Sequence, residues 1–210
     1  EFLIVVDEHG LYLDREWFYL LAFSGMRSGE MLVLKWSDID FRTNEIRITK
    51  TLFNPRENMQ LYELETPKTK GSIRTIEMDQ SIMDMLKKHK RRQAKIRLAR
   101  SLDEEYHDAN FVFRRDNGYP FVQGNVVRRM QRIMKKTNIK KKLTPHSLRH
   151  THISMLAEAG VDLPTIMERV GHDDEETTRK IYLHVTKKMK SDANEKMRNH
   201  FGNILSNLSN

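Results

Sequence analysis

Three short runs between residues 45 and 78 read as strands: Glu45 to Phe53, Gln60 to Thr66 and Ser72 to Met78. Their turns fall at Asn54 to Asn58 and Lys68 to Gly71. Almost everything outside this stretch carries helical punctuation or helical periodicity. The pattern therefore predicts a mainly α domain with one small three-stranded antiparallel β-sheet, an α+β class.

The helices announce themselves at their ends. Asp14 is placed to cap a helix carrying Trp17, Phe18, Leu20, Leu21 and Phe23, which Gly25 ends. Ser28 is placed to cap a short helix through Leu34. Asp79 opens a long helix to about Arg100, basic on its outer face. A short Phe111-Val112-Phe113 strand precedes an Asn117-Gly118 turn. Gln123 to Thr137 is amphipathic, with Val126, Val127, Met130, Ile133 and Met134 inward. Thr144 followed by Pro145 joins a cap to a first-turn proline, starting a helix to Ala159 that Gly160 closes. Asp162 opens another helix, which stops at Gly171. Glu175 to Val185 and Lys187 to Phe201 read as two further helices.

The 210 residues suffice for a substantial core. A net charge of +8 favours a polyanionic partner, because Lys and Arg release counterions from phosphates. The absence of cysteine excludes a disulfide scaffold, thiolate zinc sites and a Cys nucleophile. No run of about 18 apolar residues is present to span a membrane. The opening, an apolar strand-like run without an initiator methionine, reads as that of a fragment and not of a signal peptide.

Four patches remain to be explained. They are Ser24-Gly25-Met26-Arg27-Ser28-Gly29-Glu30, Thr66-Pro67-Lys68-Thr69-Lys70-Gly71, Thr144-Pro145-His146-Ser147-Leu148-Arg149-His150, and Val170-Gly171-His172 with Tyr182 ten residues on. Each alone has an ordinary reading: a surface arginine, a solvated turn, a structural histidine, a core tyrosine. In this order, with a hairpin between the first and third, the set resembles the tyrosine recombinase (lambda integrase, or phage integrase) family over nearly the whole chain.

That resemblance implies a catalytic fold that cuts and rejoins DNA without a cofactor or metal. Arg27 and Arg149 would clamp the phosphate, since guanidinium forks match its oxygens. His172 would hydrogen-bond a non-bridging oxygen, and His146 would orient or deprotonate the nucleophile. Tyr182 would attack the phosphorus. A hairpin lysine would protonate the leaving 5′ oxygen; Lys68 is preferred and Lys70 is the alternative. Lys70 and Arg74 are expected DNA contacts. Glu30 would buttress the arginine. His146 and His150, four apart, have a zinc-compatible spacing but no evident third ligand.

The implied organisation is a catalytic domain at 1–185 and a helical tail at 186–210, with N-terminal DNA-binding domains absent from the fragment. The implied partner is duplex DNA at attachment sites, bound as a homotetramer, with the isolated fragment monomeric and acting on DNA in the bacterial cytoplasm. Two alternatives stay open at this level. The Gly160 turn resembles a helix-turn-helix of a non-catalytic regulator, and a type IB topoisomerase would share the chemistry.

Overall fold

The computed structural model describes residues 1–54, 56–66, 70–100, 103, 105–171 and 175–205, with the backbone alone at Lys70 and 203–205. Eight helices are present among them: α1 Phe2–His9, α2 Asp14–Ser24, α3 Ser28–Leu32, α4 Gln80–Ala99, α5 Gln123–Met134, α6 Pro145–Glu158, α7 Leu163–Val170 and α8 Glu175–Leu205. Five short strands lie between α3 and α4: β1 Ile39–Asp40, β2 Glu45–Ile48, β3 Thr51–Phe53, β4 Glu63–Glu65 and β5 Arg74–Glu77. No described helix is long and apolar enough to cross a membrane.

The mainly α class with a small antiparallel sheet holds, but the strands are partitioned differently. The run 45–53 breaks at Thr49 and Lys50. Its first half joins a three-stranded sheet in the order β1-β2-β5, where Ile46 faces Ile39 and Ile76 across the ladder. Its second half pairs with β4 in a separate ribbon, Leu52 opposite Leu64. β3 leaves the sheet to lie on α3, and Gly29 permits the approach. A Cβ there would stand 2.8 Å from the Thr51 hydroxyl and 2.6 Å from the Gln123 side chain.

The opening apolar run is a helix, not a strand. Phe2, Val5 and Val6 are its buried residues, on the i, i+3, i+4 spacing of one helical face. Phe2 meets Phe18 of α2 edge-on at 5.1 Å. A continuous apolar run cannot be assigned by periodicity alone. Asp14 is likewise not a cap but the first residue of α2, fully buried. It accepts the Leu11 N–H and pairs with Arg129 and Arg132 of α5, each at 2.9 Å. Those pairs anchor α5 to the α1–α2 corner. Val127, expected inward, is exposed, while Val126, Met130 and Ile133 are buried. The Phe111–Phe113 run forms only an isolated bridge, Lys35 to Phe111, although all three of its residues are fully buried.

Two clusters form the interior. The larger gathers α1 to α5 with the sheet around Trp17, Phe18 and Phe113. The smaller joins α6, α7 and α8 through Ile153, Ala157, Ile166, Val170 and Val185. The last helix is continuous where two were expected. No Gly or Pro interrupts residues 185–187, and the Thr186 hydroxyl bonds back to the Tyr182 carbonyl at 3.0 Å, inside the helix.

Candidate active site

The site is built where α2 and α7 end. α2 stops at Gly25, whose φ of +67° is left-handed, and a Cβ there would stand 2.6 Å from the His152 ring. α7 stops at Gly171, φ +87°. Helix C-termini present unpaired carbonyls and partial negative charge. Arg149, projecting from α6, answers both. Its Nη1 donates to the Gly25 carbonyl at 2.8 Å and to the Val170 carbonyl, and its Nη2 to the Gly171 carbonyl at 3.3 Å. At 1% exposure the guanidinium pins two helix ends together.

A second layer lies beside it. Arg27 precedes α3 as its N-cap, so Ser28, the expected cap, is the first helical residue. The Arg27 backbone N–H donates to Glu30 Oε2 at 2.8 Å and its Nη1 to Oε1 at 3.1 Å. The same carboxylate receives Arg74 Nη2 at 2.9 Å and Nη1 at 3.2 Å. Burial alone would raise the Glu30 pKa, but the hydrogen bonds and charges of Arg74 and then Arg27 outweigh it and hold the pKa below its ordinary value. Glu30 therefore buttresses Arg27, as expected, and leaves that side chain 26% exposed.

Arg74 corrects the expectation of a DNA contact. Its side chain is 4% exposed, and besides Glu30 it donates to the Ser72 and Arg169 carbonyls. The strand parity carried this signal: β5 alternates buried and exposed, so Arg74 shares the inward face with Ile76.

A fourth arginine and a histidine complete the frame, and neither was expected in the site. His152 sits against the Ala22 carbonyl through Nδ1 at 3.1 Å, while Arg169 Nε donates to its Nε2 at 3.1 Å. That geometry fits a neutral ring with the proton on Nδ1. Burial, then the Arg169 charge, pushes the His152 pKa down to about 4. Arg169 also donates to the Glu77 carbonyl at 2.9 Å, locking α7 to β5. In the sequence it was only a basic residue in a helix's last turn.

His146 lies one turn before Arg149, exposed near the N-terminus of α6, its ring edge-on to His150 at 4.5 Å. Among the described residues no group of three His, Asp or Glu could hold a metal ion. Tyr182 is half-buried on α8 against the α6–α7 cluster. His172 and Lys68 lie outside the described residues, as does the side chain of Lys70. The described part thus brings Arg27, Arg149 and Glu30 together, with His146 one turn away. Arg27 and Arg74 share the Glu30 carboxylate, while Arg149 and Arg169 are held mainly by backbone carbonyls. Four guanidiniums to one carboxylate among these side chains favour an anion.

Comparison with known proteins places this arrangement. Residues 7–189 match the phage integrase family. The integrase of Staphylococcus phage L54a is 39% identical over 176 residues, 84% of this chain and 49% of that protein. A XerC-like tyrosine recombinase of Caldanaerobacter subterraneus is 35% identical over 191 residues, 87% of this chain and 49% of that protein. The chain therefore spans about half the length of the curated relatives it matches. The Tn1549 transposon integrase, solved with circular intermediate DNA, superposes with a TM-score of 0.71 at 24% identity, covering 93% of this chain and 64% of that one. The catalytic domain of bacteriophage HP1 integrase superposes with a TM-score of 0.52 at 17% identity, covering 88% and 82%. With its fold, its ordered motifs and these relatives in agreement, the chain belongs to the phage integrase family and has the fold of a tyrosine recombinase catalytic domain.

Proposed function

We propose that this chain cuts and rejoins duplex DNA at the attachment sites of a mobile element through a 3′-phosphotyrosine on Tyr182. The observation that carries the reading is the Gly25–Glu30 turn. It holds the Arg27 guanidinium by Glu30 at the α2 end that Arg149 also grips. In the proposed step the Tyr182 oxygen attacks phosphorus and its proton passes to His146 or solvent. The bond from phosphorus to the 5′ oxygen breaks, and Lys68, or Lys70 in its place, gives that oxygen a proton. Charge developing on the non-bridging oxygens is met by Arg27, Arg149 and His172. The phosphotyrosine keeps the energy of the broken bond, so resealing by a 5′ hydroxyl needs no nucleotide.

The proposed partner is attachment-site DNA, held by four copies of the chain, in the cytoplasm of a bacterial host. The exposed second half of α8, with Met197 and Phe201 outward, is the segment that would reach a neighbouring copy. The regulator alternative accounts for the Gly160 turn but not for a carboxylate shared between Arg27 and Arg74.

The test is a nicked suicide duplex carrying the element's own junction, incubated with the intact protein in excess EDTA. A covalent protein–DNA adduct is expected. No adduct with or without divalent metal would defeat the proposal.

A further inference from the structure

No Asp or Glu occurs between Asp116 and Glu158, in a chain that has 29 of them. Within that stretch five lysines crowd into eight positions: Lys135, Lys136, Lys140, Lys141 and Lys142. All five are exposed. Arg129 and Arg132, just before them on α5, are spent on Asp14. None of the five lysines forms an ion pair with a described residue. Like charges packed this densely repel one another unless a polyanion covers them.

The segment that carries them is held in place. The Thr137 hydroxyl caps the Met134 carbonyl at 2.9 Å, and the Asn138 N–H donates to the Glu1 carboxylate. Ile139 and Leu143 tuck against the larger core. The lysines therefore stand on an anchored shelf rather than a free tail. The shelf leads directly into Thr144, the cap of α6, and then exposed His146. The N-terminus of this 14-residue helix adds partial positive charge at the same end.

We infer that residues 135–142 form a contact surface for the duplex backbone beside the cleavage site. The placement rests on the recombinase reading; the surface itself rests on charge and anchoring. Reach sets the distance. Six residues of fully extended chain span at most about 22 Å, so Lys140 lies within roughly that distance of His146. At about 3.4 Å per base pair this bounds the contacts of Lys140, Lys141 and Lys142 to roughly six base pairs from the phosphate that His146 serves. Such contacts supply affinity and register without reading sequence.

The experiment compares the intact protein with K140Q/K141Q/K142Q and with the corresponding triple arginine variant. Binding to a duplex of arbitrary sequence, about 30 base pairs long, is followed by anisotropy across a salt series. Each lost phosphate contact should lessen the slope of log affinity against log salt by about 0.9, so the triple Gln variant loses up to about 2.7. Its Kd near 0.15 M salt should rise roughly 10- to 100-fold, and the arginine variant should keep the parent slope. Covalent adduct formation on the suicide duplex at saturating protein should stay within about twofold, since the lysines touch no reacting atom. An unchanged slope, or a loss that arginine does not restore, overturns the inference. A changed slope in a protein that forms no adduct would sink the recombinase reading while supporting the lysine surface.

Discussion

The frame around Glu30 and the outer half of α8 treat polar and apolar groups in opposite ways. In the frame, charged side chains are buried or half-buried and each is held by named partners: Glu30 by Arg27 and Arg74, Arg149 by three carbonyls, Arg169 by His152 and the Glu77 carbonyl. Beyond Val185, α8 leaves the smaller core, and Met189, Met197 and Phe201 face solvent at 41–60% exposure. Burying charge costs several kcal/mol per ion unless its partners are fixed, so a fold tolerates it where geometry must be exact. Exposed apolar residues on the outer half of a helix can be covered by another chain. One region is closed by its own partners; the other is exposed to solvent among the described residues.

The contrast predicts where substitutions hurt. Glu30→Ala strands Arg74 as an unpaired buried charge and should cost about 3–5 kcal/mol, read as a fall in the denaturant midpoint. A loss below about 1 kcal/mol would mean that water reaches Arg74 and that the frame is looser than described.

A smaller effect comes from pH. His152 binds its proton at about 4 when folded, against 6.5 ordinarily. Between those values the unfolded chain holds more protons, so stability falls as pH drops through this window, and the His152 contribution is gone below about pH 4. The shift corresponds to about 3 kcal/mol. Glu30, held below its ordinary value, stays ionised across most of the window. His89, also lowered by burial, acts with the same sign. Thermal melts at pH 7 and 4.5 should therefore differ less in His152→Gln than in the parent. Equal pH dependence in both would remove His152 from the frame.

The smallest effect on stability is expected in the tail. Met197→Ser with Phe201→Ser should move the melting free energy of the free chain by less than about 0.5 kcal/mol. Assembly on DNA, measured by sedimentation, should nevertheless weaken. A large drop in melting temperature would show that the outer half of α8 folds back on its own domain.

Local rules made much of this legible. Gly25, Gly171 and the Thr144-Pro145 start mark helix ends because few residues tolerate those backbones, and a short helix after Gly25 was readable although its cap is Arg27 and not Ser28. What failed depended on distant partners. The first eight residues hid their helix in an unbroken apolar run whose face is set by Phe18. β3 left the sheet because α3 approaches at Gly29. The roles of Arg169 and His152 could not be read, since their partners are backbone carbonyls and each other, which no side-chain pattern records. Arg74 was readable from β5 alternation, where parity with Ile76 points inward.

The central claim is that Tyr182 is the nucleophile, and one measurement bears on it most directly. A neutral phenol is a weak nucleophile unless it is aligned and assisted. Tyr182→Phe removes that oxygen from a half-buried ring and should leave melting temperature and DNA affinity close to the parent. On the suicide duplex the parent should accumulate a covalent adduct whose digest carries DNA on the peptide containing Tyr182, and the Phe variant should form none. Adduct formation by Tyr182→Phe, or DNA attached at another residue in the parent, would contradict the account.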